Sequence, residues 1–350
     1  MKYWISLLVL ISSFNAQAMK AIDESAFPSK KFENREGPRT DSIIVWKDGS
    51  TLYERYDRGY TKEKKHILWS ISKTITSLLI AVAEFKGIAS RSDSICNFDK
   101  SIPKDKCKIL LEDVIKWTTG LRWVEEYEKS NRLKSASVIA MLYGEGFKDM
   151  YRFVLGHEFE TVPGQSWRYS SGDTVLMASL LRKIFKNNDI HKIFQKRLMG
   201  PLGIEDWTLE VDPKGNGIGA SYFHMRPRDL LKIGQLIAGK GVFEGKRIYA
   251  ADWYEFMSTP ADIFKVRRFE HDNVNIGGGS IWLNLNEPVG MDDPPWPTAP
   301  MDTMMGMGHW GQYLMVVPSL NLVAVRTGDT RDGKYKAKDF AASVMRGIRE

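Results

Sequence analysis

Only 2 cysteines occur among 350 residues, so the chain is no disulfide scaffold, and 14 prolines and 29 glycines without a period exclude a collagen-like repeat. Neither sign of charge dominates. The 50 basic residues face 43 acidic ones, and the net +7 is spread along the chain rather than gathered in a tract. That is a weak footprint for nucleic acid, and no such partner is expected. No apolar run is long enough to span a bilayer. The six histidines form no H-E-x-x-H and the cysteines no C-x-x-C array, so no metal site is expected. G-x-S-x-G is absent, which excludes the α/β-hydrolase nucleophile elbow, as is a phosphate-binding P-loop. No cofactor is implied. What is present is a 43% hydrophobic chain with 11 Trp, 13 Tyr and 16 Phe, enough for a sizeable core and an aromatic cleft.

The N-terminus reads as an export signal. Lys2 precedes a mostly apolar run from Tyr3 to Phe14, and Ala16-Gln17-Ala18 has the small-x-small form of a cleavage site. Cleavage after Ala18 leaves residues 19–350, without an integral membrane segment, in the periplasm or secreted. In that oxidising setting Cys96 and Cys107, within a segment of turn formers (Asn97, Asp99, Ser101, Pro103), read as one local disulfide. By chain entropy, closing so short a loop is worth roughly 3 kcal/mol at best.

Strand patterns sit at both ends of the chain and helical ones in the middle. Ser42–Trp46 and Thr51–Tyr56 flank Asp48-Gly49, the favoured pair of a tight hairpin turn. From Ser70, residues Ile75, Leu78, Leu79 and Val82 follow i, i+3, i+4, i+7, and Gly87 is a stop. Helices are expected again at Val138–Tyr143, around Met177–Ile184 and from Arg228. Strands return at Ser280–Leu285, Gln312–Val317 and Leu322–Arg326, followed by a C-terminal helix over Lys336–Glu350. The expected fold is α/β, discontinuous: an α/β part over about 19–75 and 216–350, interrupted by a helical insertion over about 76–215.

Three short elements carry the chemistry. Ser70-Ile-Ser-Lys73 opens a helix whose next turns are apolar. At that helical spacing Ser70 and Lys73 lie about 5–6 Å apart on one face. A lysine desolvated there loses part of its basicity and can take a proton from serine. Ser101-Ile-Pro-Lys104 has the same spelling in a polar, proline-broken setting. The second element, Tyr169-Ser-Ser-Gly-Asp173, leads into the helix of Met177. In the third, Gly306-Met-Gly-His309-Trp-Gly-Gln312, glycines at a strand allow a ligand to approach the backbone.

In this order the set S-x-x-K, Y-S-S, H-x-G resembles the serine β-lactamase/penicillin-binding-protein superfamily in its class C-like branch. Lys47-Asp-Gly, Tyr53-Glu-Arg-Tyr56, Trp69–Thr74, Thr119-Gly-Leu-Arg-Trp123 and Met141-Leu-Tyr-Gly144 narrow this to the 6-aminohexanoate-dimer hydrolase and esterase group. The resemblance runs from about residue 40 to the C-terminus. It implies an antiparallel sheet flanked by helices, with an inserted helical region and the active site in the cleft between. It further implies Ser70 as acylated nucleophile, Lys73 as its base, Tyr169 as proton relay and His309 in the place of the third-motif lysine. The N–H groups of Ser70 and Gln312 would form the oxyanion hole. Trp310 stands where penicillin-recognising members carry a small hydroxyl residue, and Ser171 where lactamases have Asn. Both favour an ester or short amide as the small-molecule substrate over a β-lactam. Ser171, Trp310, Gly311, Tyr127 and Trp123 are the expected substrate-binding residues. A β-lactamase or D,D-peptidase is the alternative, and a non-catalytic cell-wall or ligand-binding relative a further one.

Overall fold

The computed structural model describes residues 38–127, 136–266, 276–287, 292–331, 333 and 335–348. The expected signal peptide, residues 1–18, lies outside them. Seven strands make the main sheet: β1 (Thr40–Lys47), β2 (Ser50–Tyr56), β3 (Ile276–Gly277), β4 (Trp282–Leu283), β5 (Met304–Gly308), β6 (Gln312–Val317) and β7 (Leu322–Gly328). Their order is β2-β1-β7-β6-β5-β4-β3, and every pair is antiparallel. The N-terminal hairpin is therefore stitched to the last strand, with Ile44 opposite Val325. Period-two alternation splits the sheet between two cores. Ile44, Leu314, Val316, Val323 and Val325 face one core; Ile43, Val45, Tyr313, Met315 and Ala324 face the other.

The larger core holds helices α1 (Ile71–Phe85), α2 (Ser137–Tyr143), α3 (Ser171–Ile184) and α4 (Pro227–Ala238). The smaller one is covered by α5 (Ala337–Ile348) through Phe340, Ala341 and Val344. Helix α1 is buried on all sides from Ile71 to Ala83, its buried hydroxyls at Thr74, Thr76 and Ser77 bonded to carbonyls. Each Leu or Ile in it contributes about 1.5–3 kcal/mol of burial. This buried helix sets where its first turn sits. Cys96 and Cys107 form the expected disulfide, with Cα atoms 5.2 Å apart.

Two strand expectations need correction. Of Ser280–Leu285 only Trp282 and Leu283 pair as strand. Ser280 adopts a left-handed φ of 61°, and the Asn284 carboxamide donates to the carbonyls of Trp296, Ala299 and Pro300, which turns the chain out of the sheet. Strand β5 was not anticipated, because Met-Met-Gly-Met-Gly carries little intrinsic strand preference. Of the proline-rich stretch, Trp296 is buried in the smaller core, away from α1. No helix among the described residues is long and apolar enough to cross a membrane.

Candidate active site

Trp69, immediately before α1, holds a left-handed φ of 46°. For a bulky residue that costs on the order of 1–3 kcal/mol, and the surrounding packing must hold it there. Ser70 is the residue that caps α1, yet its side chain makes no capping hydrogen bond. Its Oγ instead lies 3.0 Å from Nζ of Lys73, which also donates to the Ala220 carbonyl at 2.9 Å. Lys73 is 1% exposed. Burial pushes its ammonium down to about 8, against a smaller opposing pull from the negative Glu125.

Tyr169 arrives from the extended segment before α3. Its ring stacks on Trp282 with centroids 5.1 Å apart and meets the edge of Trp117 at 4.9 Å. The Lys73 ammonium lies 4.7 Å from its centroid. Burial above all, and then the charge of Glu125, push the Tyr169 phenol far above its ordinary value, against a hydrogen bond with Ser70 that works the other way. The Ser70 hydroxyl, the Lys73 amine and the Tyr169 phenol thus meet at one point.

His309 and Trp310 occupy the turn joining β5 to β6. Their rings pack against Trp69 with centroids 5.8 and 5.3 Å away, and His309 also meets Tyr127 at 5.4 Å. The glycines of this motif have a different use from the one expected. A Cβ on Gly308 would lie 2.3 Å from the Leu68 carbonyl, so it admits the backbone leading to Ser70 rather than a ligand. Gly311 has φ 88°, and a Cβ there would lie 2.3 Å from Nη1 of the buried Arg326.

These groups open onto a cavity of about 390 Å³, lined on its polar side by Ser70, Tyr169, Tyr127, His309 and Ser221. The structure brings Ser70, Lys73, Tyr169, His309, Tyr127 and Trp310 together and leaves other expected residues outside. Trp123 is 2% exposed and packs its ring on Gly172, so it belongs to the core. Ser171 is wholly buried one layer back, its Oγ donating to Glu125. Gln312 is also wholly buried opposite Gly308 in the ladder, its carboxamide bonded to Gly328. Neither Gln312 nor Gly311 lines the cavity.

Sequence reasoning missed Glu125. Its carboxylate accepts from Trp123 Nε1, from the N–H and Oγ of Ser171, and from the Tyr127 hydroxyl. A signal was there: positions 123, 125 and 127 share one side of an extended segment. Trp282 and Tyr143 were also missed as cavity walls; the Tyr143 hydroxyl bonds that of Tyr222, whose ring meets Trp69 edge-on.

An antiparallel sheet backed by helices, with a serine and a buried lysine at the head of the central helix, defines a β-lactamase-like α/β protein. The chain belongs to the Beta-lactamase family, whose model matches residues 30–342. The 6-aminohexanoate-dimer hydrolase of Paenarthrobacter ureafaciens is 22% identical over 250 residues, 69% of this chain. The match spans 62% of that relative, under two thirds of its length. A Bacillus anthracis protein provisionally assigned as a 6-aminohexanoate-dimer hydrolase superposes with a TM-score of 0.72 at 17% identity, over 94% of this chain and 84% of its own. A family VIII carboxylesterase superposes at 0.67 and 13% identity, over 89% and 92%.

Proposed function

We propose that the protein is an exported serine hydrolase that cleaves small esters or short amides through an acyl-enzyme on Ser70. The observation that carries this is the 3.0 Å contact of Ser70 Oγ with a wholly buried lysine amine whose basicity is brought down to about 8. In its neutral form Lys73 takes the Ser70 proton as Oγ attacks the carbonyl carbon. The Tyr169 phenol stays protonated at neutral pH, so it serves as donor rather than first base. It gives its proton to the leaving oxygen or nitrogen and regains one from the Lys73 ammonium. Water then repeats the sequence on the acyl-enzyme. The Ser70 N–H, at the head of α1, supports one side of the oxyanion. The Cys96–Cys107 disulfide fits an oxidising compartment and supports export.

The relatives' printed names, a dimer hydrolase and a carboxylesterase, favour ester or short-amide cleavage. The bulk of Trp310 at the turn weighs in the same direction. Intact-mass spectrometry after treatment with a fluorophosphonate tests this reading. One adduct located on Ser70, and its loss together with p-nitrophenyl ester turnover in Ser70→Ala, is the expected result. Unchanged turnover in that variant removes the assignment.

A further inference from the structure

The catalytic groups occupy one side of the cavity, and the rest of its wall is apolar or aromatic. Ile139, Leu142 and Tyr143 come from α2, Trp69 from the entry to α1, Met307 from β5 and Trp282 from β4. No Asp, Glu, Lys or Arg is among the described residues that line it. The described charged groups that touch its lining residues are already engaged. Lys73 bonds Ser70 and the Ala220 carbonyl, and Glu125 accepts four hydrogen bonds from behind Tyr127. Arg331 lies 4.0 Å over the Trp310 ring and is paired with Asp329 at 2.8 Å. A carboxylate or ammonium carried into this space would leave water without gaining a counter-charge from the described lining residues, which is strongly unfavourable.

Resting on the acyl-enzyme reading, we propose that the site selects substrates whose acyl chain is uncharged, and that it rejects chains of the same length ending in an ammonium or a carboxylate. The test compares p-nitrophenyl hexanoate, p-nitrophenyl 6-aminohexanoate and mono-p-nitrophenyl adipate, which share leaving group and chain length. Both kcat/KM and the rate of Ser70 acylation by intact mass are read, with spontaneous hydrolysis subtracted. Hexanoate is expected to exceed each charged ester by about 10- to 1,000-fold in both readouts. A charged ester within tenfold of hexanoate, or faster, overturns the selection while leaving the acyl-enzyme intact. If none of the three acylates Ser70 and a fluorophosphonate leaves it unlabelled, the acyl-enzyme reading falls, and the selection with it.

Discussion

Two ionisable groups, Lys73 and Glu125, lie behind the polar lining of the cleft, and the protein treats them differently. Lys73 can donate three hydrogen bonds but has one carbonyl and one hydroxyl within reach. Glu125 receives four donors from Trp123, Tyr127 and Ser171. The under-bonded amine is the one whose proton can move, because burial has destabilised its charged form without full compensation. The saturated carboxylate anchors Tyr127 and the start of α3, and so fixes Tyr127 in the cavity lining. Strain and poor solvation are concentrated at Trp69-Ser70-Lys73, while the Glu125 cluster is stabilised by charge-assisted bonds.

The largest effect expected from this contrast follows Lys73→Met. Turnover of a p-nitrophenyl ester should fall by about 10³-fold or more, since the base is gone. Stability should rise. The folded-state value of about 8 lies below the ordinary 10.5, so below pH 8, where the amine is protonated in both states, folding carries the full cost of burying the ammonium. That cost is on the order of 3 kcal/mol and fades as pH climbs from 8 toward 10.5. Urea unfolding at pH 7 and pH 10 checks the sign: the variant's advantage should be large at the lower pH and small at the higher. A variant less stable than the parent at pH 7 would show that Lys73 is structurally compensated after all.

Next in size is Glu125→Gln, which should act in the opposite sense on stability. It trades a charged acceptor of four bonds for an amide that also brings donors, at a cost of about 1–3 kcal/mol. It should also move the pH profile. The parent's kcat/KM should rise with pH through a limb near 8, as Lys73 becomes neutral. The carboxylate raises the basicity of Lys73, so its removal should carry that limb to lower pH. A limb that stays put would separate the two groups electrostatically.

How much of this contrast is legible in the sequence depends on distance along the chain. Ser70 and Lys73 are three residues apart on a helix with an apolar period, so local geometry alone brings them together. Tyr169 and His309 come from remote segments, and only their ordered resemblance to a family pointed to them. The β-sheet partners of the hairpin lie more than 250 residues away, as in the pairing of Ile44 with Val325, and no local pattern encodes that pairing. Glu125 was overlooked because a lone glutamate in a loop spells nothing, although its neighbours at 123 and 127 were both singled out. Trp123 and Ser171 were assigned to substrate for the same reason: sequence names the residues near a site but not which way they face. The Ser171 side chain faces Glu125, and that of Trp123 packs on Gly172.

The smallest effect tests that orientation. Ser171→Ala removes one hydroxyl donor from Glu125 and leaves the backbone N–H of residue 171 bonded to it. A hydrogen bond to a carboxylate is worth about 1.5–3 kcal/mol, and Glu125 keeps three others, so the loss should sit at the lower end of that range. Because Ser171 is wholly buried behind Tyr127, KM for a small ester should change by less than about twofold. Thermal unfolding beside steady-state kinetics decides between the two roles. A stability loss with constant KM places Ser171 in the carboxylate's support. A KM raised tenfold with stability unchanged would return it to the substrate, and the saturated carboxylate would then have one donor fewer than the contrast with Lys73 assumes.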